Sequence, residues 1–248
     1  MDWTKQCAVV IPCFNEAACV RAVVLAVRRI LPSVMVVDDG STDATAEVAA
    51  AAGAEVLRQP ANTGKGTALR AGWEHAARRR FGWVLTMDGD GQHAPEDVPA
   101  LLERAENTGA PLVVGNRMGQ SALMPWIRRW VNHWMTRRLS ALAGIALADS
   151  QCGLRLMNLQ ALAGLQIRAE GFDIESETLI AFVAAGYKVE FVPIQVIYQT
   201  GPSRINPALD SWRWFRWWFR QRHHTRNESR TAKRLAYVER QRKDLLPH

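Results

Sequence analysis

The chain has 248 residues, of which 48% are hydrophobic, enough to bury one large α/β core or two small ones. Its formal charge of +7 favours an anionic partner: nucleic acid, a phosphorylated small molecule or an anionic bilayer. No run approaches the ~18–20 uncharged apolar residues of a spanning helix, so membrane contact is expected to be peripheral.

Taken in order, short apolar runs at Ala8–Ile11, Val34–Val37, Glu55–Leu57, Trp83–Met87 and Leu112–Val114 alternate with stretches of helical composition. Those stretches are Ala17–Ile30, Ala44–Ala52, Thr67–Arg79 and Pro95–Thr108. Four of the runs are rich in Val, Ile and Leu, as strands covered on both faces require. The alternation predicts a doubly wound, mainly parallel sheet. From Ser121 to Gly144 the composition changes: Trp126, Trp130 and Trp134 recur every fourth residue beside Arg128, Arg129, Arg137 and Arg138. A second α/β stretch follows, at Glu175–Ala185 and Lys188–Ile197. The last segment sets Trp212, Trp214, Trp217 and Trp218 among Arg213, Arg216 and Arg220, and the remainder to Lys243 is basic and polar. The expected division is a catalytic domain over 1–206 and an amphipathic helical tail over 207–248. Cys7, Cys13, Cys19 and Cys152 show no C-x-x-C spacing, and no secretory signal opens the chain. The expected compartment is therefore the cytoplasm, with reduced thiols.

Ligands of such sheets bind beyond the carboxyl ends of the strands. The residues following the runs are polar: Phe14, Asn15 and Glu16, then Asp38, Asp39, Gly40 and Ser41. Further on come Asp88-Gly89-Asp90-Gly91-Gln92-His93, then Asn116 and Arg117. Ser41, Thr42 and Asp43 can cap the next helix, but capping needs only one acid. In Asp88-Gly89-Asp90 two carboxylates one residue apart leave a strand on opposite faces unless the glycines let the backbone turn. Carboxylate and Gln carbonyl oxygens are hard ligands suited to Mg²⁺ or Mn²⁺ that also holds phosphates. The alternative is a surface turn, since Asp and Gly dominate turns. Asn62-Thr63-Gly64-Lys65-Gly66 reads either as a structural turn or as a phosphate contact opening a helix. Cys152 reads as a core thiol, and His93 as a supporting residue rather than a ligand.

The ordered set V-I-P-C-F-N-E (10–16), V-V-D-D-G-S-T-D (36–43), N-T-G-K-G (62–66), D-G-D-G-Q-H (88–93), G-N-R (115–117) and D-S-Q-C-G-L-R (149–155) resembles family-2 glycosyltransferases. The resemblance is to the dolichol-phosphate and polyprenyl-phosphate mannosyl- and glucosyltransferase branch, and it runs from about Cys7 to Arg204. It implies a GT-A type domain and an inverting hexosyl transfer from a GDP- or UDP-sugar to a lipid phosphate. By the same resemblance Pro12, Phe14, Glu16, Val37 and Asp39 form the base and ribose pocket, and Asp88 and Gly89 line the nucleotide. Asp90 and Gln92 ligate Mg²⁺ or Mn²⁺, Arg117 faces phosphate or sugar, and Glu177 orients the donor sugar. Arg204 stands where the family has a Lys that contacts the diphosphate. Tyr198 and Gln199 stand where the family often has another Arg.

A lipid phosphate is already anionic and needs no strong base. An alcohol acceptor would need one, and Asp149 could serve; it could equally pair with Arg155 as a structural link. Trp at headgroup level with Arg reaching lipid phosphate is an interfacial pattern, and packing of those aromatics on the domain is its alternative. A peripheral enzyme on the inner face of the cell membrane, or one docked on a membrane protein, follows as an expectation. A nucleic-acid-binding module would spread its charge along a groove. Here carboxylates cluster at the expected site, so no nucleic-acid partner is expected.

Overall fold

The computed structural model describes residues 1–119, 126–197 and 218, with the backbone alone at Ile127 and Arg128. All but residue 218 belong to one compact unit, Met1–Pro202; Ser203–His248 form another. The expected tail over 207–248, Trp218 apart, lies outside the described residues, as do Tyr198, Gln199 and Arg204.

A sheet of seven strands forms the centre, in the order β3-β2-β1-β4-β6-β5-β7. The strands are β1 (Cys7–Cys13), β2 (Val34–Asp38), β3 (Glu55–Arg58), β4 (Trp83–Thr86), β5 (Leu112–Asn116), β6 (Arg155–Asn158) and β7 (Val189–Pro193). β6 runs antiparallel to β4 and β5, and the other pairings are parallel. Val9, Val10 and Ile11 of β1 and Val36 and Val37 of β2 are fully buried, each worth ~1.5–3 kcal/mol against exposure. β3, at the edge, is half-exposed.

Among the described residues eight α-helices accompany the strands: α1 (Trp3–Gln6), α2 (Val20–Val27), α3 (Thr45–Ala51), α4 (Lys65–Arg78), α5 (Val98–Thr108), α6 (Trp126–Ala143), α7 (Leu159–Ala163) and α8 (Ile174–Ala184). α2 is shorter than its apolar pattern predicts because Glu16 to Cys19 form a separate turn, with Cys19 and Val20 N–H both donating to the Glu16 carbonyl at 2.9 Å. β6 and α7 were not legible as elements. Arg155 interrupts the apolar run of β6, yet it is buried and donates to the carbonyls of Ser150, Cys152 and Glu175 at 2.6–3.0 Å.

From β1 the chain winds outward through β2 to β3, then returns to place β4 on the other side of β1. Right-handed crossovers in opposite directions put α4 on the face opposite α2 and α3. The reversal leaves a crevice between the carboxyl ends of β1 and β4. No described helix is long and apolar enough to cross a membrane.

α4 lies close on β1 and β2 at Gly72, where a Cβ would stand 2.4 Å from Val10 Cγ1 and 3.1 Å from Val37 Cγ2. Gly72→Val is therefore expected to destabilise the protein by ~1–3 kcal/mol, through overpacking. Urea unfolding reads this directly; an unchanged midpoint would mean that α4 can lift off the sheet without cost.

Candidate active site

Two loops meet at the crevice. β1 continues into Phe14, which is partly exposed, and Asn15, whose φ of 56° turns the chain. Asn15 Oδ1 accepts from the amides of Thr42 and Asp43 at 2.8 and 3.3 Å, tying this loop to the one after β2. In that second loop Asp43 Oδ1 accepts from Thr45 N–H at 3.0 Å, so one of the expected capping residues does bond the start of α3. Pro12 and Glu16 are half-buried. Val37 is fully buried under α4, so its side chain belongs to the core.

The acids of the second loop are committed within the chain. Asp38 Oδ1 accepts from Ser41 N–H at 3.0 Å, and its Oδ2 lies 3.4 Å from Arg58 Nε. Asp39 is buried and accepts three bonds: from Thr63 N–H and Oγ1–H at 2.9 Å, and from Gly64 N–H at 2.8 Å. The amides that an anion-binding loop would offer at the start of α4 are thus occupied by Asp39.

β4 delivers Asp88-Gly89-Asp90-Gly91-Gln92. Gly91 has φ +72°, a conformation open to glycine, while at Gly89 a Cβ would sit 2.6 Å from Cys13 Sγ. Both glycines expected to allow the turn are therefore required, for different reasons. Asp88 Oδ1 lies 2.6 Å from Lys65 Nζ, and its Oδ2 lies 3.3 Å from His93 Nε2. Burial would raise the Asp88 carboxyl, but Lys65 and His93 outweigh it and hold it well below the usual carboxylate range. Asp90 differs: burial, then the charge of Asp88, push it above its ordinary value. Its Oδ1 accepts the Gln92 amide N–H at 3.0 Å, and its Oδ2 has no partner among the described residues.

That pattern fits a divalent cation. A half-buried carboxylate short of positive charge stands beside the Gln92 side-chain amide, and both offer hard oxygen donors. Among the described residues no cluster of three or more His, Cys, Asp or Glu forms a cage. Asp90 and Gln92 could hold such an ion only with further ligands from outside these two side chains.

On the far side of β4 stands a second charged group. Arg117, just after β5, grips Asp149 with Nε at 2.8 Å and Nη2 at 3.0 Å, and its amide adds a bond of 3.2 Å. Asp149 is fully buried and also accepts from Gln151 N–H at 2.9 Å and Asn132 Nδ2 at 3.3 Å. The structural partner expected for Asp149 was Arg155; the partner found is Arg117. Burial would raise the Asp149 carboxyl, but Arg117 outweighs it and holds it below its ordinary value. A carboxylate so saturated is a poor proton acceptor, which speaks against the general-base alternative.

Glu177, read from the sequence as a sugar-orienting group, is buried, and its Oε2 accepts from the amides of Arg168 and Ala169 at 2.8 and 2.6 Å. Glu175, two residues earlier and so on nearly the opposite side of α8, is the acid that reaches the site, 2.7 Å from Lys65 Nζ. Cys152 is a core thiol, as expected, pushed up to about 12 by burial.

α6 adjoins this group. Its inward Asn132 reaches Asp149, Thr136 reaches Ser150 at 3.0 Å, and Leu139 is buried. Outward, Trp126 and Trp130 are 73% and 64% exposed, and Arg129, His133, Arg137 and Arg138 are exposed with them.

Asp149→Ala is expected to cost ~3–5 kcal/mol at neutral pH, because it strands the Arg117 charge. The Asp149 carboxyl is depressed when folded. The pair's contribution is therefore complete above the ordinary 3.8 and is lost as pH falls through the lower folded-state value. Denaturant unfolding across that range should show the gap between wild type and variant closing in acid; a pH-independent gap would discard the ion pair as its source.

The profile described as Glycosyl transferase family 2 matches residues 8–164, more than half of the chain. Polyprenol monophosphomannose synthase of Mycolicibacterium smegmatis is 30% identical over 205 residues, covering 77% of this chain and 77% of that protein. Undecaprenyl-phosphate mannosyltransferase of Micrococcus luteus is 28% identical, covering 81% and 87%. Among solved structures, glucosyl-3-phosphoglycerate synthase of Mycobacterium tuberculosis, in complex with Mn²⁺, UDP and phosphoglyceric acid, superposes with a TM-score of 0.64. It is 25% identical over 79% of this chain and 72% of that one. With the mainly parallel sheet and the carboxylate loop at its switch point, these matches place the chain in glycosyl transferase family 2, on a GT-A-like fold.

Proposed function

We propose that the protein transfers a hexose, with inversion, from a GDP- or UDP-sugar to a polyprenyl phosphate at the inner face of the cell membrane. The observation that carries the donor half is Asp90, a carboxylate at the switch point with an oxygen left for a ligand and too little positive charge around it. Pro12, Phe14 and Glu16 stand across the crevice on the β1 loop and supply a surface for the base. Asp39, committed to Thr63 and Gly64, keeps one acceptor position for a ribose hydroxyl or base N–H. When bound to Asp90 and Gln92, Mg²⁺ or Mn²⁺ supplies positive charge to the leaving diphosphate. Arg204 is assigned to the same diphosphate on motif position alone.

The acceptor half rests on Asp149. In the reaction an acceptor phosphate oxygen forms a bond to the anomeric carbon while the bond from that carbon to the diphosphate oxygen breaks on the opposite face. A phosphate oxygen that is already ionised has no proton to lose, so a carboxylate tied up by Arg117 is no handicap. Arg117 Nη1, without a partner among the described residues, is assigned to the acceptor phosphate or the sugar. The second reading is transfer to a hydroxyl of a small anionic acceptor, favoured by the phosphoglyceric acid bound to the solved relative. It would need a base other than Asp149.

The test is incubation with a panel of GDP- and UDP-sugars and a short polyprenyl phosphate, with Mn²⁺ or Mg²⁺ and with chelator. The expected outcome is a chelator-sensitive lipid-linked sugar, reduced by ~10²-fold or more in Asp90→Ala. Donor turnover only with a hydroxylated acceptor would establish the second reading.

The outer face of α6 is the proposed membrane contact. Trp126–Ala143 holds Arg128, Arg129, Arg137 and Arg138 and no acid. Each basic residue near an anionic surface is worth ~1 kcal/mol, and the exposed Trp rings add apolar burial. Flotation with anionic vesicles should carry the protein upward, and Trp126→Ala with Trp130→Ala should weaken partitioning by about tenfold or more. Equal flotation of the double variant would remove α6 from the interface.

A further inference from the structure

Lys65 stands in the Gly-rich loop that reads either as a structural turn or as a phosphate contact, and its ammonium is already engaged. It opens α4 and sits between carboxylates of two other elements, 2.6 Å from Asp88 Oδ1 beyond β4 and 2.7 Å from Glu175 Oε1 on α8. Its side chain is 15% exposed and that of Glu175 only 6%. The backbone holds it there. Gly64 has φ +100°, and a Cβ on it would fall 2.4 Å from the Glu170 carbonyl oxygen, while Gly66 N–H donates to that same oxygen at 2.8 Å. The start of α4 is thus fastened to the segment that leads into α8, and Lys65 is delivered beneath Asp88 rather than into the open crevice.

Two further groups hold Asp88, whose side chain stays 27% exposed. His93, itself buried, meets Oδ2, and the bare backbone of Gly153 presses on the carboxylate, where a Cβ would lie 2.4 Å from Oδ2. Behind Lys65 is a small cavity lined by Trp73, Met157, Thr178 and Glu175. Trp73 Nε1, Thr178 Oγ1 and Glu175 Oε2 are buried with no hydrogen-bond partner among the described residues. A donor, a hydroxyl and an acceptor around one small space are the complement of a buried water.

We propose that Lys65, backed by Glu175 and the hydrated cavity, is a positioning residue that fixes the Asp88 carboxylate toward the donor nucleotide and does not itself bind phosphate. The proposal rests on the reading of the crevice as a nucleotide-sugar site. With two of its three N–H donors directed at carboxylates and its side chain only 15% exposed, Lys65 has at most one donor left for a phosphate. Charge supports the same division: Asp88 and Glu175 share one cation, so Lys65 has no surplus to lend.

The experiment is calorimetric titration of UDP, GDP, uridine and guanosine in the presence of Mn²⁺, on wild type, Lys65→Met, Asp88→Asn and the double variant. Lys65→Met should weaken binding of nucleoside and nucleoside diphosphate by the same factor, about tenfold, and should add little in the Asp88→Asn background. If Lys65→Met spares the nucleoside, weakens only the diphosphate and adds fully to Asp88→Asn, Lys65 is a phosphate ligand and the proposal is overturned. If Lys65→Met does not fold, Lys65→Gln, which is one bond shorter but keeps two N–H donors, is held to the same pattern. Failure of the wild type to bind any of the four would overturn the nucleotide-site reading and this proposal with it, a result distinct from an additive cycle.

Discussion

An ionised carboxylate taken out of water costs several kcal/mol unless something compensates it, and this fold gathers acids along the carboxyl edge of one buried sheet. What each acid has for a partner decides what it can do. Asp38 has Ser41 N–H and Arg58, and Asp39 has the Thr63 and Gly64 amides. Asp88 has Lys65 and His93; Asp149 has Arg117, Asn132 and the Gln151 amide. Asp90 has one backbone N–H and, for a neighbour, another negative charge. Subtraction therefore points to Asp90 as the acid whose compensation is left to a ligand. The neighbouring acids find their partners within the chain and so do not compete for that ligand.

The same accounting joins the surface to the interior. Asn132 and Thr136 spend their polar groups on Asp149 and Ser150 on the inner side of α6, while Trp126 and Trp130 stand in solvent on its outer side. One rigid helix thus touches the Arg117–Asp149 pair and carries the exposed aromatic and basic face.

The strands rich in Val, Ile and Leu were legible because burial on both faces leaves a continuous apolar run, and the site was legible because ligands gather where strand order reverses. What was hidden had a common cause: a charge neutralised by distant groups. Arg155 broke the pattern of β6 because nothing local announces that its guanidinium will be fed by three carbonyls. The Gly-rich loop of Lys65 left turn and phosphate contact open, and its Gly64 and Gly66 serve close contact with residues 169 and 170. The resemblance named Glu177 and left Glu175 aside, although the two project from α8 about 200° apart and Glu175 is the one that meets Lys65. The spacing carried that geometry; the identity of the facing element was absent from it.

In the proposed reaction the electrostatic difficulty lies in bringing two anions together rather than in moving a proton. A phosphate approaching a diphosphate-bearing sugar to ~5 Å meets ~3 kcal/mol of repulsion for each pair of unit charges at an effective dielectric of about 20. A general base would do nothing about that; fixed cations would. The structure ties up Asp149 while leaving Arg117 Nη1 unpartnered among the described residues, and it keeps the first turns of α6 free of acids. A site that admits a charged acceptor in the proposed reaction would need such fixed cations where the second anion arrives, and Arg117 is the residue assigned to that role.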